Sequence, residues 1–225
     1  MSMNWATPES LEVEPDQLQV RLDFYKDSIV MYVIDGNRLV QTRMVSALDI
    51  SQAFVRGLAI SSGLLPADAL WWSSAREGQV VALWRSPRVW KAALMLEANA
   101  PPRRFTLPMP GLIFLCKPGG PPYVFAAKKR PHSGKNKIYH APLYNIFSEG
   151  RSCPGNHQYP DDIRQIPESF FASFFSLAGS PAGRSKKHGN NLLKLWEELD
   201  GQKEYPMADL VEFGKLEDIM VAKER

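Results

Sequence analysis

Of the two cysteines in the chain, Cys153 has the surroundings of a nucleophile. It lies in Gly150-Arg151-Ser152-Cys153-Pro154-Gly155, where glycines and proline favour an accessible loop over a strand interior. Attack by a thiol needs thiolate character, and Arg151, two residues upstream, can favour the charged form. Asn145, eight residues before the cysteine, carries a carboxamide that can donate to a developing oxyanion. Loss of one such donor typically costs about 3 to 4 kcal/mol of transition-state stabilisation. The same carboxamide can instead bond backbone and hold a loop together, so both roles stay open. His140 and His157 are candidate bases toward an incoming amine, against the plain alternative of solvated loop histidines. Asp161 and Asp162 can orient or deprotonate a nucleophile, or simply cap a turn. Cys116 ends the apolar run GLIFLC and reads as a buried, inert thiol.

Other chemistries lack their motifs. There is no Gly-rich phosphate loop ending in Lys-Ser/Thr, no G-x-G-x-x-G after a strand, no G-x-S-x-G elbow and no H-E-x-x-H. ATP hydrolysis, nicotinamide chemistry and serine hydrolysis therefore lose their usual signatures. Cys116, Cys153, His132, His140 and His157 lack the paired C-x-x-C spacing of a zinc site, so no metal is expected.

The elements that must position this loop follow from the apolar pattern. LQVRLDF (18–24) and IVMYVID (29–35) read as strands, and Asp35-Gly36-Asn37 as a tight turn into RLVQTRMV. Asp49 or Ser51 can cap a helix with Ile50, Phe54 and Leu58 on one face and Gly63 at its end. ALWWSS and VVALW form a second hairpin around Glu77-Gly78. Ser86-Pro87 predicts a capped helix to about Ala98, with Val89, Trp90, Ala93, Leu94 and Leu96 as its buried stripe. RFTL, GLIFLC and YVFAAK then read as three consecutive antiparallel strands, punctuated by Pro and Gly. Residues 130–165 show little periodicity and are long enough to be a functional loop. Helices are predicted at 167–177, where Phe170, Phe171, Phe174 and Phe175 form an aromatic stripe, at 190–199, and at 215–221.

The run Asn145-Ile146-Phe147, then Gly150, then Cys153 resembles the active-site segment of ubiquitin-conjugating (E2) enzymes. There a His-Pro-Asn triplet leads through a glycine turn to the catalytic cysteine. Here His140-Ala141-Pro142 is displaced from Asn145 by Leu143-Tyr144, a version similar to the bacterial E2-like family D, which includes the plasmid-associated PRTRC system B proteins. LLPADALWW (64–72), ESFFASFF (168–175) and ADLVEFGKLEDIM add to the likeness, so it spans most of the chain. The F-x-x-S-x-F-T-H pattern of that family departs here at its Thr-His end, where Ser176-Leu177 stand. The resemblance implies an α+β fold: an antiparallel β-meander with flanking helices, the E2-like core with its C-terminal helices over 86–225, and a β-rich N-terminal extension over 1–85. It also implies that Cys153 takes the C-terminal carboxyl of a ubiquitin-like protein from a ThiF-type E1 activating enzyme as a thioester, and passes it on. Asn145 and His140 would assist, and a JAB-type peptidase would be encoded nearby. No cofactor is implied for this subunit, because the activating enzyme uses the ATP. The rival reading is a non-catalytic adaptor that binds protein or DNA in a plasmid-maintenance or defence assembly.

The chain has 225 residues, 44% hydrophobic and 23% charged, with a net charge of +3, which does not suggest a nucleic-acid binder in bulk. Lys128, Lys129, Arg130, Lys135 and Lys137 nevertheless form a run of five cations without an acid, whereas residues 194–218 carry eight acids against three lysines. The basic run reads as a solvated loop or a docking surface for an acidic partner; without interleaved aromatics it argues weakly for nucleic acid. A polar, acidic start, no run of 18 apolar residues and only two cysteines lead to the expectation of a cytoplasmic protein without membrane insertion.

Overall fold

The computed structural model describes residues 19–36, 38–51, 64–75, 78–97, 100–153, 155–177 and 183–220. The chain divides into two compact units between Ser62 and Gly63. In the first, β1 (Val20–Phe24), β2 (Ile29–Asp35) and β3 (Arg38–Val45) form the expected antiparallel meander. Its turn uses Gly36 at φ +56°, a conformation costly for most side chains, while Asn37 lies outside the described residues. The following helix begins one turn earlier than its sequence suggests. Ser46 caps it, its hydroxyl accepting from the Asp49 amide at 3.0 Å and the Asp49 carboxylate accepting in return. Residues 47–51 are helical, and Phe54, Leu58 and Gly63 lie outside the described residues.

The second unit is built on a six-stranded antiparallel sheet. β4 (Ala69–Ala75), β5 (Gly78–Arg85), β8 (Gly111–Cys116), β9 (Tyr123–Ala127), β10 (Lys137–His140) and β12 (Glu212–Lys215) pair in the order β12-β10-β9-β8-β5-β4. The hairpin β4–β5 is as expected; its turn, with Glu77, lies outside the described residues. Because β4 and β5 belong to this sheet, residues 63–85 fall in the C-terminal unit and not with the N-terminal extension to which 1–85 were assigned.

The predicted helix after Ser86-Pro87 is a strand. β6 (Arg88–Met95) pairs with β7 (Arg103–Met109), as Lys91 opposite Thr106 and Trp90 opposite Leu107. The physical reason is the period: Trp90, Ala92 and Leu94 are buried while Val89 and Lys91 beside and between them are exposed, an alternation of two, and Val89 of the expected helical stripe is 46% exposed. β7 in turn pairs with β6 and not with β8, so of the three central runs only the last two are neighbours.

The aromatic stripe also divides. α1 (Ile166–Ala172) buries Phe170 and Phe171, and Ser173 then turns extended; β11 (Phe174–Ser176) runs parallel to β6, burying Phe175 and exposing Phe174. Helix α2 (Leu192–Leu199) is capped by Asn191, whose carboxamide accepts from the Lys194 amide at 3.0 Å, and buries Leu192, Leu195, Trp196 and Leu199. A short helix, α3 (Glu217–Met220), ends the described chain.

An aromatic ladder joins these parts. Trp90 stacks on Phe171 at 4.0 Å; Phe170 meets Phe114 and Phe175; Phe175 meets Trp196, which touches Phe105 and Tyr144 edge-on. β8 is buried on both faces, as its unbroken apolar run requires, with Phe114 in this core and Ile113 among Trp84, Phe125 and Ile138 on the other side. Among the described residues no helix is long and apolar enough to cross a membrane.

Candidate functional site

The segment from Asn145 to Cys153 is a small β-hairpin grafted onto the end of β9. Phe147 donates its amide to Arg151 O at 2.9 Å, Ile146 and Ser152 form an antiparallel bridge, and Cys153 donates its amide to Asn145 O at 2.7 Å. The turn is closed by Gly150 N donating to Phe147 O at 2.9 Å. Its second strand is fixed to the sheet: Val124 N donates to Gly150 O at 2.8 Å and Ser152 N to Pro122 O at 2.9 Å. Gly150 has no substitute here, since it sits at φ +93° with the Phe125 ring where a Cβ would go. The sequence showed a glycine turn; only the fold shows the ring beneath it.

Cys153, at the paired end of this hairpin, is exposed. Arg151 lies over the Phe147 ring at 4.9 Å and pairs with Glu149 at 3.5 Å, so its charge is shared between the turn and solvent. Pro154 lies outside the described residues. Tyr159 is buried beside Ser152 and Cys153, and burial raises its phenol above the ordinary value. His157 bonds the Ser169 hydroxyl at 2.8 Å and sets its ring edge-on to Tyr159, linking this segment to α1.

Asn145 is the one described residue other than glycine with positive φ, at +57°. Its carboxamide reaches across to β11: Nδ2 donates to Phe174 O at 2.9 Å, and Oδ1 accepts from Ser176 N at 3.0 Å and from its hydroxyl at 3.2 Å. Tyr144 and Pro142 behind it are held by Trp196, whose indole donates to Pro142 O at 3.0 Å. The asparagine thus ties loop to strand, and its contact with Phe174 O and Ser176 N helps explain why the aromatic stripe leaves the helix at Ser173.

His140 is at the end of β10, half-buried, with Phe213 edge-on to its ring. Its Nδ1 lies 3.0 Å from a guanidinium nitrogen of Arg184. A guanidinium only donates, so Nδ1 accepts and the ring is the neutral tautomer protonated at Nε2. Burial, with the adjacent Arg184 charge, pushes this imidazole down to about 4.

The remaining candidates are dispersed. Asp162 caps the turn before α1, accepting from the Arg164 amide at 3.0 Å; the bond from the Arg164 side chain holds its carboxyl down at about 2. Asp161 lies over Gly119, whose amide donates to Pro160 O at 3.1 Å. Cys116 is fully buried, and burial pushes its thiol up to about 12. In the basic run, Lys137 pairs with Glu212 at 2.8 Å, Arg130 donates to Ala69 O at 3.1 Å, and Lys128 lies over Tyr139 at 5.4 Å. Lys129 and Lys135 carry no ion pair among the described residues. Three of the five cations therefore serve the fold, at β10, β12 and β4. Among the described residues no three His, Cys, Asp or Glu side chains cluster as metal ligands.

A family model described as Prokaryotic E2 family D matches residues 43–213. The chain belongs to that family. No curated protein and no solved structure matches it. The match covers the segment from His140 through Cys153 to α1, and begins within the last residues of β3. Two residues of this site escaped the sequence reading. Arg184 stands in an unremarkable basic stretch, and Tyr159 follows the cysteine in an aperiodic loop; no local pattern marks either as buried.

Proposed function

We propose that this family D protein is an E2-like carrier in a prokaryotic conjugation system. Its Cys153 thiolate attacks the thioester carbonyl of a ubiquitin-like protein held by a ThiF-type activating enzyme. A new C–S bond forms, and the activating enzyme's cysteine leaves as the thiolate. A nucleophile, an amine in the simplest case, then attacks the same carbonyl; Cys153 leaves as thiolate and the amine proton passes to solvent. The observation that supports this is the exposed thiol at the paired end of a hairpin that three separate parts of the fold, β9, β11 and the turn carrying Arg184, hold in place. Asn145 acts by shaping that hairpin, since its carboxamide is engaged with β11, and His140 acts as a neutral support and not as a base. Lys129 and Lys135 remain available to an acidic partner such as the activating enzyme.

A second reading, the non-catalytic adaptor, is favoured by the same two residues. With the Asn145 carboxamide and the His140 imidazole engaged elsewhere, the thiol has neither as a catalytic neighbour. The two readings part in one assay. With the activating enzyme and ubiquitin-like protein from the same genome and ATP, a carrier forms a reductant-sensitive adduct that Cys153→Ala lacks and Cys116→Ala keeps. An adaptor binds its partners with no adduct in any variant.

A further inference from the structure

Arg184 is 1% exposed, carries a full charge, and forms no ion pair among the described residues. Its Nη2 donates to the carbonyls of Ile146, at 2.9 Å, and Phe147, at 2.7 Å; its Nη1 meets His140 Nδ1; its Nε is buried with no partner among the described residues. For plain packing this is a poor choice. A buried, unpaired cation is costly, and an apolar side chain of similar volume would fill the space at less expense. What an apolar side chain could not do is donate to the carbonyl of Ile146, a residue itself 1% exposed, and at the same time tie it to the Phe147 carbonyl that already accepts from Gly150 N.

The position of those carbonyls gives the contact its meaning. Ile146 and Phe147 follow Asn145 directly and face Ser152 and Arg151 across the hairpin, so whatever fixes them fixes the rungs that end at Cys153. Asn145 is pinned to β11 through its side chain, and the second strand to β9 through its backbone. Without Arg184 the stretch between these two anchors has only its own rungs. The chain around Arg184 is itself anchored: Ser185 donates its hydroxyl to Asp209 at 3.0 Å, and Asp209 also accepts from the Lys187 amide at 2.7 Å and from the Tyr205 hydroxyl at 3.3 Å. The guanidinium is thus delivered from a fixed turn and not from a free tail.

We propose that Arg184 is a positioning residue for transfer at Cys153, a buried donor that sets the first strand of the hairpin and fixes the tautomer of His140. This rests on the reading of Cys153 as the carrier thiol, but its test does not. The charged groups facing this cluster are Glu149, from the hairpin turn, which acts on Arg184, and Arg184 itself, which acts on His140; the Phe213 ring closes the remaining side of the imidazole.

Native-state amide exchange and histidine NMR on the full chain test the proposal with Arg184→Met and Arg184→Lys. In Arg184→Met the amides of Phe147 and Cys153 exchange about a hundredfold faster, from the loss of charge-assisted bonds, while those of Leu112 and Phe114 in β8 are unchanged. The His140 midpoint rises, because a neighbouring positive charge is gone. Arg184→Lys, with one point donor in place of a fork, accelerates the same two amides by about tenfold and carries the test if the Met variant does not fold. Equal protection in variant and wild type, or acceleration of hairpin and β8 in parallel, overturns the proposal. If wild-type protein fails to form a thioester while these shifts are seen, the carrier reading fails and the positioning of the hairpin stands.

Discussion

Cys116 closes β8 opposite Val81 of β5, inside a sheet and sealed from solvent, whereas Cys153 closes a hairpin of a few rungs and is exposed. The first thiol is placed by a regular ladder, and burial lifts it to about 12, where it is neither a nucleophile nor a ligand at neutral pH. The second is placed by contacts that share no regular pattern: the Asn145 carboxamide to β11, the Arg184 guanidinium to two carbonyls, Gly150 on the Phe125 ring, and Ser152 to Pro122. A reactive thiol must be both reachable and fixed, and a strand in a sheet core provides only the second. The hairpin provides both: Cys153 is exposed, while Asn145, Arg184, Gly150 and Ser152 hold its rungs.

Gly150→Ala strikes this arrangement hardest. It adds a methyl group into the Phe125 ring at a backbone angle alanine resists, and stability falls by about 3 to 4 kcal/mol in urea unfolding. A loss below about 1 kcal/mol would mean that the hairpin does not rest on that ring. Asn145→Ala comes next, at about 2 to 3 kcal/mol, because three hydrogen bonds to Phe174 and Ser176 go together with a favourable residue at φ +57°. A purely catalytic amide predicts a different pattern, with transfer slowed several-hundredfold and the unfolding midpoint unmoved.

The cysteines themselves give the direct contrast. Cys116→Ser places a hydroxyl in an apolar core and costs about 2 kcal/mol, while Cys153→Ser changes stability by less than about 0.5 kcal/mol. Equal costs at the two positions would erase the difference on which the comparison stands. Smaller than the contrast between the cysteines is an effect of pH. His140 has a folded value of about 4 against an ordinary 6.5, so as pH falls from 6.5 toward 4 the unfolded chain takes up the proton first and stability is lost. For a half-buried ring the loss is about 1 to 2 kcal/mol, and it disappears in His140→Gln. Thermal unfolding at several pH values in the two proteins measures it; an identical slope in both would remove His140 from the cluster.

The two regions also differ in how far they could be read from the residues alone. Strands β1 to β5, β8 and β9 announce themselves by β-branched and aromatic runs, and the buried fate of Cys116 follows from GLIFLC. The spacing from Asn145 through Gly150 to Cys153 was equally visible, and so was the family likeness. What stayed hidden depends on distant parts of the chain. β6 reads as a helix because Val89, Trp90, Ala93 and Leu94 fall at helical spacing while Trp90, Ala92 and Leu94 fit a period of two equally well, and only pairing with β7 and β11 selects the alternation. Phe174 and Phe175 read as helix because nothing local says that Asn145, 29 residues earlier, holds the carbonyl of Phe174. Arg184 was passed over because a buried guanidinium looks the same in sequence as a solvated one.

The carrier reading of Cys153 meets its most direct test in the site of the covalent adduct. Protein charged with the ubiquitin-like partner, the activating enzyme and ATP is quenched without reductant, digested and mapped by mass spectrometry. The account predicts a thioester-linked remnant of the partner's C-terminus on Cys153, removed by thiol, with Cys116 unmodified. A remnant on Cys116 or on a lysine, or no adduct although the activating enzyme is itself charged, contradicts it.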